Sequence, residues 1–234
     1  MSITQAEIKQ IRSLREKKFR DELGLFVVEG EKLVQEALDS DFEVVRVLRR
    51  EQIGEAAMAR ITQLSTPSPV LAVVARPQAP AAPAPVRGLC LALDGVRDPG
   101  NLGTILRIAD WFGVQAVFLS DDCVDLYNPK VIQASMGSLF RVRTSTADLP
   151  ALCRRFRAEG LPVYGTFLDG EDIYRRELSR EGLVVMGNEA AGIRPAVAAE
   201  VDAHLLIPSF GGSGAESLNV AVATAVTLSE FRRR

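Results

Sequence analysis

The sequence predicts an α/β protein in two parts, the larger built on a parallel sheet with helices on both faces. Three observations carry this. From residue 89 onward, short apolar runs alternate with helix-like stretches, as in parallel sheets with helical crossovers. Before that region lies RPQAPAAPAPVRG, residues 76–88. Proline lacks an N–H and does not fit a helix interior or a central strand. Pro77, Pro80, Pro83 and Pro85 therefore mark a semi-rigid linker. Finally, 234 residues, 47% hydrophobic and 25% charged, suit one large or two modest globular domains. The expected division is a small α/β domain at 1–76, a linker at 77–88 and the larger domain at 89–234.

In the first part, residues 4–20 read as one helix with Ile8, Ile11, Leu14 and Phe19 on one side. A strand at 24–28, a helix at 29–38, a strand at 42–48, a helix at 52–64 and a strand at 70–75 follow. In the second part, strands are expected at 89–93, 115–119, 141–144, 161–167, 183–186 and 204–207. Helices are expected at 102–112, 129–139, 147–159, 195–199 and from 218 onward. Asn128 before Pro129 is a helix opening, and Gly113 is a helix stop. The last helix is apolar nearly all round, through Leu218, Val220, Ala221, Val222, Ala223, Ala225, Val226 and Leu228, and is expected to be buried on most sides. Asn219 has two readings. It is a solvated neighbour of a capping Ser217, or part of a ligand site where a loop with Gly211, Gly212 and Gly214 meets a helix N-terminus.

Composition narrows the chemistry. Cys90, Cys123 and Cys153 are an odd number without paired spacing, so they read as buried thiols and not as a disulfide or zinc framework. His204 is the single histidine, which leaves little for Ser-His or His-metal mechanisms; no metal is expected. The N-terminal residues carry no secretion pattern and no apolar run spans a bilayer, so a cytoplasmic protein away from membranes is expected. The net charge of −2 does not suggest a nucleic-acid binder. Locally, though, Lys9, Arg12, Arg15, Lys17, Lys18 and Arg20 cluster with only Glu16 among them, and Arg232, Arg233 and Arg234 end the sequence. Such stripes supply phosphate contacts; a solvated face is the plainer reading.

Ligands of open parallel sheets bind beyond the carboxyl ends of the strands. Three such turns combine glycine with isolated polar groups: 94–107, 187–192 and 208–219. One site assembled from all three is geometrically reasonable. A dinucleotide-binding fold is the competitor, with Asp121 or Asp122 as the ribose-binding acid. Gly100 and Gly103 do not fit the G-x-G-x-x-G spacing that it requires.

Three stretches, LDGVRDPGNLGTILRIADWFG (93–113), VVMGNEAAGI (184–193) and IPSFGGSGAESLNVAVA (207–223), resemble in order and spacing the signature motifs of the SpoU/TrmH RNA 2′-O-ribose methyltransferases of the SPOUT superfamily. Residues 128–142 and 161–170 are also similar to family segments. REKKFRDELGLFVVEGEKLVQEAL (15–38) resembles the N-terminal RNA substrate-binding domain of many members, itself similar to a ribosomal-protein fold. The resemblance implies a Rossmann-like parallel sheet with a deep trefoil knot, an exception to the rule that chains do not thread loops. It implies S-adenosylmethionine as cofactor, held at Thr166, Gly187, Ile207, Leu218 and Ser217. Asn101, Arg107, Glu189, Ser217 and Asn219 fall on the catalytic positions. Lys9, Arg12, Arg15, Lys17, Lys18 and Arg20 would contact RNA, and the last helix would form a homodimer interface that completes the active site.

The implied reaction is methylation of a ribose 2′-hydroxyl, in ribosomal RNA ahead of transfer RNA. A catalytically silent, dimeric RNA-binding scaffold of the same fold is the alternative from another class. The family assigns deprotonation to the motif arginine. An arginine is a poor base, and stabilising the emerging alkoxide or fixing a phosphate suits Arg107 better. Glu189 would orient Arg107 or Asn101, or merely cap a helix; Asn101 could itself cap a helix beginning at Leu102. Two departures stand out: the 207–218 loop, with Phe210, is longer than in the shortest members, and Gln133 replaces a basic residue.

Overall fold

In the computed structural model, which describes residues 3–77, 86–211 and 216–233, contacts divide the chain into two units. One comprises Met1–Gln78 and Asp125–Arg141, the other Ala79–Val124 and Val142–Arg234. The segment 125–141, placed in the larger domain by the sequence reading, is thus grouped with the first unit. Pro80, Pro83 and Pro85 of the linker, Gly212 and Gly214 of the glycine loop, and Arg234 lie outside the described residues.

The expected first helix is two helices, α1 (Gln5–Ser13) and α2 (Lys17–Leu23). Thr4 and Glu7 form a capping box at the start of α1, satisfying two orphan N–H groups. Then come β1 (Leu25–Glu29), α3 (Glu31–Leu38), β2 (Val44–Arg49), α4 (Arg50–Ile53), α5 (Glu55–Ile61) and β3 (Val70–Ala75). The strands pair antiparallel in the order β1-β3-β2. Alternate strand residues point to opposite faces. Val27, Leu71 and Val73 pack with Ile8, Ile11 and Leu14 of the first helical stretch and Met58 and Ile61 of α5.

The second unit opens with β4 (Leu89–Leu93), α6 (Pro99–Trp111) and β5 (Val117–Leu119). The chain then makes an excursion through α7 (Pro129–Ser135) and a 3₁₀ turn at Ser138–Phe140. It returns as β6 (Thr144–Thr146), α8 (Leu149–Ala158), β7 (Val163–Asp172), β8 (Gly182–Met186), α9 (Pro195–Ala198), β9 (Ala203–Leu206) and α10 (Val220–Arg233). All six strands are parallel, in the order β6-β5-β4-β8-β7-β9. In the unit's own numbering this is 3-2-1-5-4-6, not the 3-2-1-4-5-6 of dinucleotide-binding folds, a second mark against that alternative. β7 bulges, so that Thr166 and Glu171 both stand opposite Leu205. Cys90, Ala92, Phe118, Leu183 and Val185 pack with Leu152, Cys153 and Phe156 of α8 and Val197 of α9. Elsewhere in the unit, Phe231 of α10 meets Tyr164 of β7 edge-on at 5.0 Å. The threading that the family resemblance implies involves the glycine-rich loop and the final helix, and residues 212–215 of that loop lie outside the described ones.

Within the first unit the excursion packs on β1. Phe26 lies 4.7 Å from Tyr127 and 6.5 Å from Phe140, and Phe42 meets Phe140 edge-on at 5.1 Å. Arg20 donates to Asp125 Oδ2 through Nε at 3.0 Å and a terminal nitrogen at 2.6 Å, and to the carbonyls of Leu14 and Arg15. Arg20 is 2% exposed. It is therefore spent inside the unit and leaves the expected RNA-binding stripe. Lys9, Arg12, Arg15, Lys17 and Lys18 are exposed, although Lys17 pairs with Asp21 and Arg15 bonds the Thr62 carbonyl. Gln133 donates to the Glu29 carbonyl at 3.1 Å, a structural use of the carboxamide. Among the described residues no helix is long and apolar enough to cross a membrane.

Candidate active site at the sheet's switch point

From β4 the chain steps one way to β5, while β8 lies on its other side. The crevice at such a switch point is where open α/β sheets bind ligands. Asp98 opens α6, accepting from the Asn101 N–H at 2.8 Å, with Pro99 in the first position. The helix thus starts three residues earlier than expected, and Asn101 is not its cap. This frees the Asn101 carboxamide. Its Nδ2 donates to Glu189 Oε1 at 2.6 Å, and its Oδ1 accepts from Asn219 Nδ2 at 3.0 Å.

The polarity of this chain is self-consistent. An ionised carboxylate only accepts, so the Asn101 amide nitrogen must face Glu189 and its oxygen must face Asn219. Asn219 Oδ1 in turn accepts from the N–H groups of Ala221 and Val222, at 3.0 and 3.3 Å. Asn219, not Ser217, caps the last helix, and it serves the site with its other end. The reading of Asn219 as a solvated neighbour of a capping Ser217 is thereby corrected. Ser217 is exposed and precedes α10.

Glu189 is carried by a tight loop after β8. Asn188 and Gly192 exchange backbone hydrogen bonds at 3.0 and 2.9 Å, and Asn188 Oδ1 accepts from Ala190 and Ala191. A Cβ on Gly187 would lie 2.3 Å from the Gly192 carbonyl carbon, so this close approach requires glycine. Asn188 Nδ2 donates to the Gly95 carbonyl at 2.7 Å, fastening the loop to the β4–α6 turn.

Asp94 and Arg194 were given no role by the sequence, although Asp94 lies inside the first quoted motif and Arg194 directly follows the second. Asp94 is 1% exposed, and its carboxylate accepts from the Arg194 backbone N–H at 2.7 Å and from Nε at 2.6 Å. The legible signal was an acid at the end of an apolar strand, which must find a cation or several N–H groups. Asp122 accepts from the Ser120 hydroxyl at 2.7 Å and lies 3.2 Å from Arg97 and 3.6 Å from Arg194. The Ser120 bond, aided by Arg97 and Arg194 and opposed by desolvation, holds Asp122 below the usual carboxylate range. Its carboxylate is engaged in this network and is not held out for a ribose.

Thr166, Gly187 and Ile207 are half-buried on neighbouring strands: Gly187 and Ile207 directly follow β8 and β9, and Thr166 follows Gly165 of β7, which pairs with Val185 near the end of β8. Thr166 Oγ1 points its hydrogen toward the Val185 carbonyl at 3.5 Å. Leu218 is 48% exposed beside the α10 cap. Arg107 is exposed and has no hydrogen bond or ion pair among the described residues. It stands six positions beyond Asn101, about 9 Å along α6, and Glu189 bonds Asn101 instead of it. The structure thus joins Asn101, Glu189 and Asn219 directly and leaves Arg107 free. Among the described residues no His, Cys, Asp or Glu cluster could hold a metal.

Known proteins resemble this chain in both of its parts. Residues 88–229 match the SpoU rRNA Methylase family, and residues 5–81 match an MRM3-like substrate binding domain. The 23S rRNA (guanosine(2553)-2′-O)-methyltransferase RlmP of Bacillus subtilis is 35% identical, aligned over 97% of this chain and 96% of its own length. The 23S rRNA (uridine(2479)-2′-O)-methyltransferase of Streptomyces viridochromogenes is 33% identical over 82% of this chain and 71% of that protein. The AdoMet-bound rRNA methyltransferase of Sinorhizobium meliloti superposes with a TM-score of 0.90 at 33% identity, covering 100% of this chain and 97% of that one. The three motif loops that meet at the switch point lie within the matched span, and with a relative aligned along nearly its whole length, the chain belongs to the SpoU rRNA methylase family.

Proposed function

We propose that this protein transfers the methyl group of S-adenosylmethionine to a ribose 2′-hydroxyl of RNA, with ribosomal RNA as substrate ahead of transfer RNA. The observation that carries the reading is the hydrogen-bonded chain Asn219–Asn101–Glu189, which draws on all three motif segments. A relative that acts on 23S rRNA and matches both parts of the chain supports ribosomal RNA.

The cofactor fits the residues present. Thr166, Gly187 and Ile207 offer a hydroxyl, backbone groups and apolar surface on three adjacent strands, a set suited to an uncharged nucleoside with a small cationic centre. Bound there, S-adenosylmethionine supplies an electrophilic methyl group. The protein must align the ribose oxygen with that methyl and stabilise the oxygen as it loses its proton. Asn101, held by two partners, orients polar groups at the mouth of the site. Arg107, unpaired, is available to meet a phosphate or the developing alkoxide. In this reading Ser217 and Leu218 close over the cofactor, and exposed Lys9, Arg12, Arg15, Lys17 and Lys18 contact RNA.

The protein acts in the cytoplasm as a homodimer. Val222 of α10 is 51% exposed and Trp111 of α6 84% exposed, and a second copy covers this apolar surface. The test is calorimetry with S-adenosylhomocysteine and NAD, followed by labelled-methyl transfer to ribosomal and transfer RNA. Binding of the first ligand alone and labelling of ribosomal RNA are expected. Cofactor binding without transfer to any RNA would favour the silent scaffold.

A further inference from the structure

The turn between β4 and α6 is pinned from every side. The Asp94 N–H donates to the Met186 carbonyl at 2.9 Å, the Gly95 N–H to Ser120 Oγ at 2.8 Å, and the Val124 N–H to the Val96 carbonyl at 2.9 Å. Asn188 reaches the Gly95 carbonyl from the first residue after Gly187, and Arg194 reaches Asp94 just past Ile193. The Glu189 loop is therefore fastened at its beginning and its end to the same turn. Asn101 lies seven positions beyond Asp94 on the helix that this turn starts.

We infer that Arg194 is a positioning residue for methyl transfer: through its two bonds to buried Asp94 it fixes the loop that presents Glu189 to Asn101. This rests on the methyltransferase reading and extends it to residues with no part in the chemistry. A backbone N–H alone could hold one carboxylate oxygen. The Nε bond occupies the other, so the loop cannot pivot about a single contact. Both oxygens being engaged also accounts for a buried carboxylate at the end of an apolar strand. The Arg194 side chain, 44% exposed, brings a terminal nitrogen to within 3.6 Å of Asp122, which steadies it from a second acid.

The experiment compares Arg194→Gln, Arg194→Lys and the double variant Asp94→Asn/Arg194→Gln in the full chain. Turnover and KM on ribosomal RNA, S-adenosylhomocysteine affinity and amide exchange at residues 188–193 are measured. Misplacing a reacting constellation by about 1 Å costs on the order of a hundredfold in rate. Arg194→Gln is expected to lose about that much kcat, with KM and cofactor affinity near those of the unaltered chain and faster exchange in the loop. Arg194→Lys, which keeps the charge and the backbone bond, should recover part of the loss. The double variant leaves no unpaired buried charge, so it keeps the comparison valid if Arg194→Gln folds poorly; it should lose no more kcat than the single variant. Unchanged kcat overturns the inference, as does a loss confined to KM, which would make Arg194 an RNA contact, or a parallel fall in cofactor affinity. If the unaltered chain transfers no methyl group, the methyltransferase reading fails by itself, and loop exchange still decides whether Arg194 holds the loop.

Discussion

Arg232 donates through Nε to the Phe112 carbonyl at 2.7 Å and through a terminal nitrogen to the Gly113 carbonyl at 2.8 Å. These carbonyls lie just past the end of α6, that of Gly113 also accepting from Gln115 Nε2 at 3.2 Å, and a cation there meets the negative end of the helix dipole. At their other ends, α6 and α10 are joined by Asn101 and Asn219. The two helices run side by side in the same direction, tied at top and bottom. Replacing Arg232 by Ala should destabilise the chain by about 1 kcal/mol, read as a lower urea midpoint at unchanged slope.

Among the described residues, Arg107 is the cation without a partner nearest in sequence to Asn101. If it stabilises developing charge, Arg107→Lys keeps RNA affinity and loses most turnover, because a lysine offers a point charge where a planar fork is needed. Filter binding and single-turnover methylation separate the two quantities. Near-normal rates in the variant would reject this role.

The first unit depends on residues that are remote in sequence. Arg20 and Asp125 have side chains 3% and 8% exposed, and removing one partner of such a pair costs about 3–5 kcal/mol. Asp125→Ala should lower stability by that order in urea unfolding. A fragment ending at residue 78 lacks Asp125, Tyr127 and Phe140, leaving the ring of Phe26 without its stacking partners. No cooperative unfolding transition is expected for it by circular dichroism.

Glu29 is 3% exposed and accepts from the Thr62 hydroxyl at 2.6 Å. Burial raises its carboxyl above the ordinary 4.5, and the Thr62 and Gln63 bonds offset only part of this. The folded state therefore binds this proton more tightly than the unfolded state. The resulting stabilisation is complete below 4.5 and is lost as pH rises through the folded value. Relative to the unaltered chain, Glu29→Gln should gain stability as pH is raised across that window. A flat difference between the two unfolding curves would rule this out.

How much of this the sequence disclosed depended on whether the signal was local. β3 and β4 appear at their expected residues because they are uninterrupted apolar runs too short for helices. The break between α1 and α2 was illegible: Leu14 to Glu16 contains neither glycine nor proline to announce it. Asp98-Pro99 carries the same helix-opening signal as Asn128-Pro129, so the role of Asn101 as first-turn residue was available and was misread. Tyr127 and Phe140 announced burial but not the sheet that they bury. Arg20 resembled its basic neighbours until a carboxylate 105 residues away claimed it.

Because α10 is anchored to α6 at both ends, the pair forms a single stiff lever. A displacement of Asn219 would therefore be felt at Asn101 and, through Arg232, at the far end of α6.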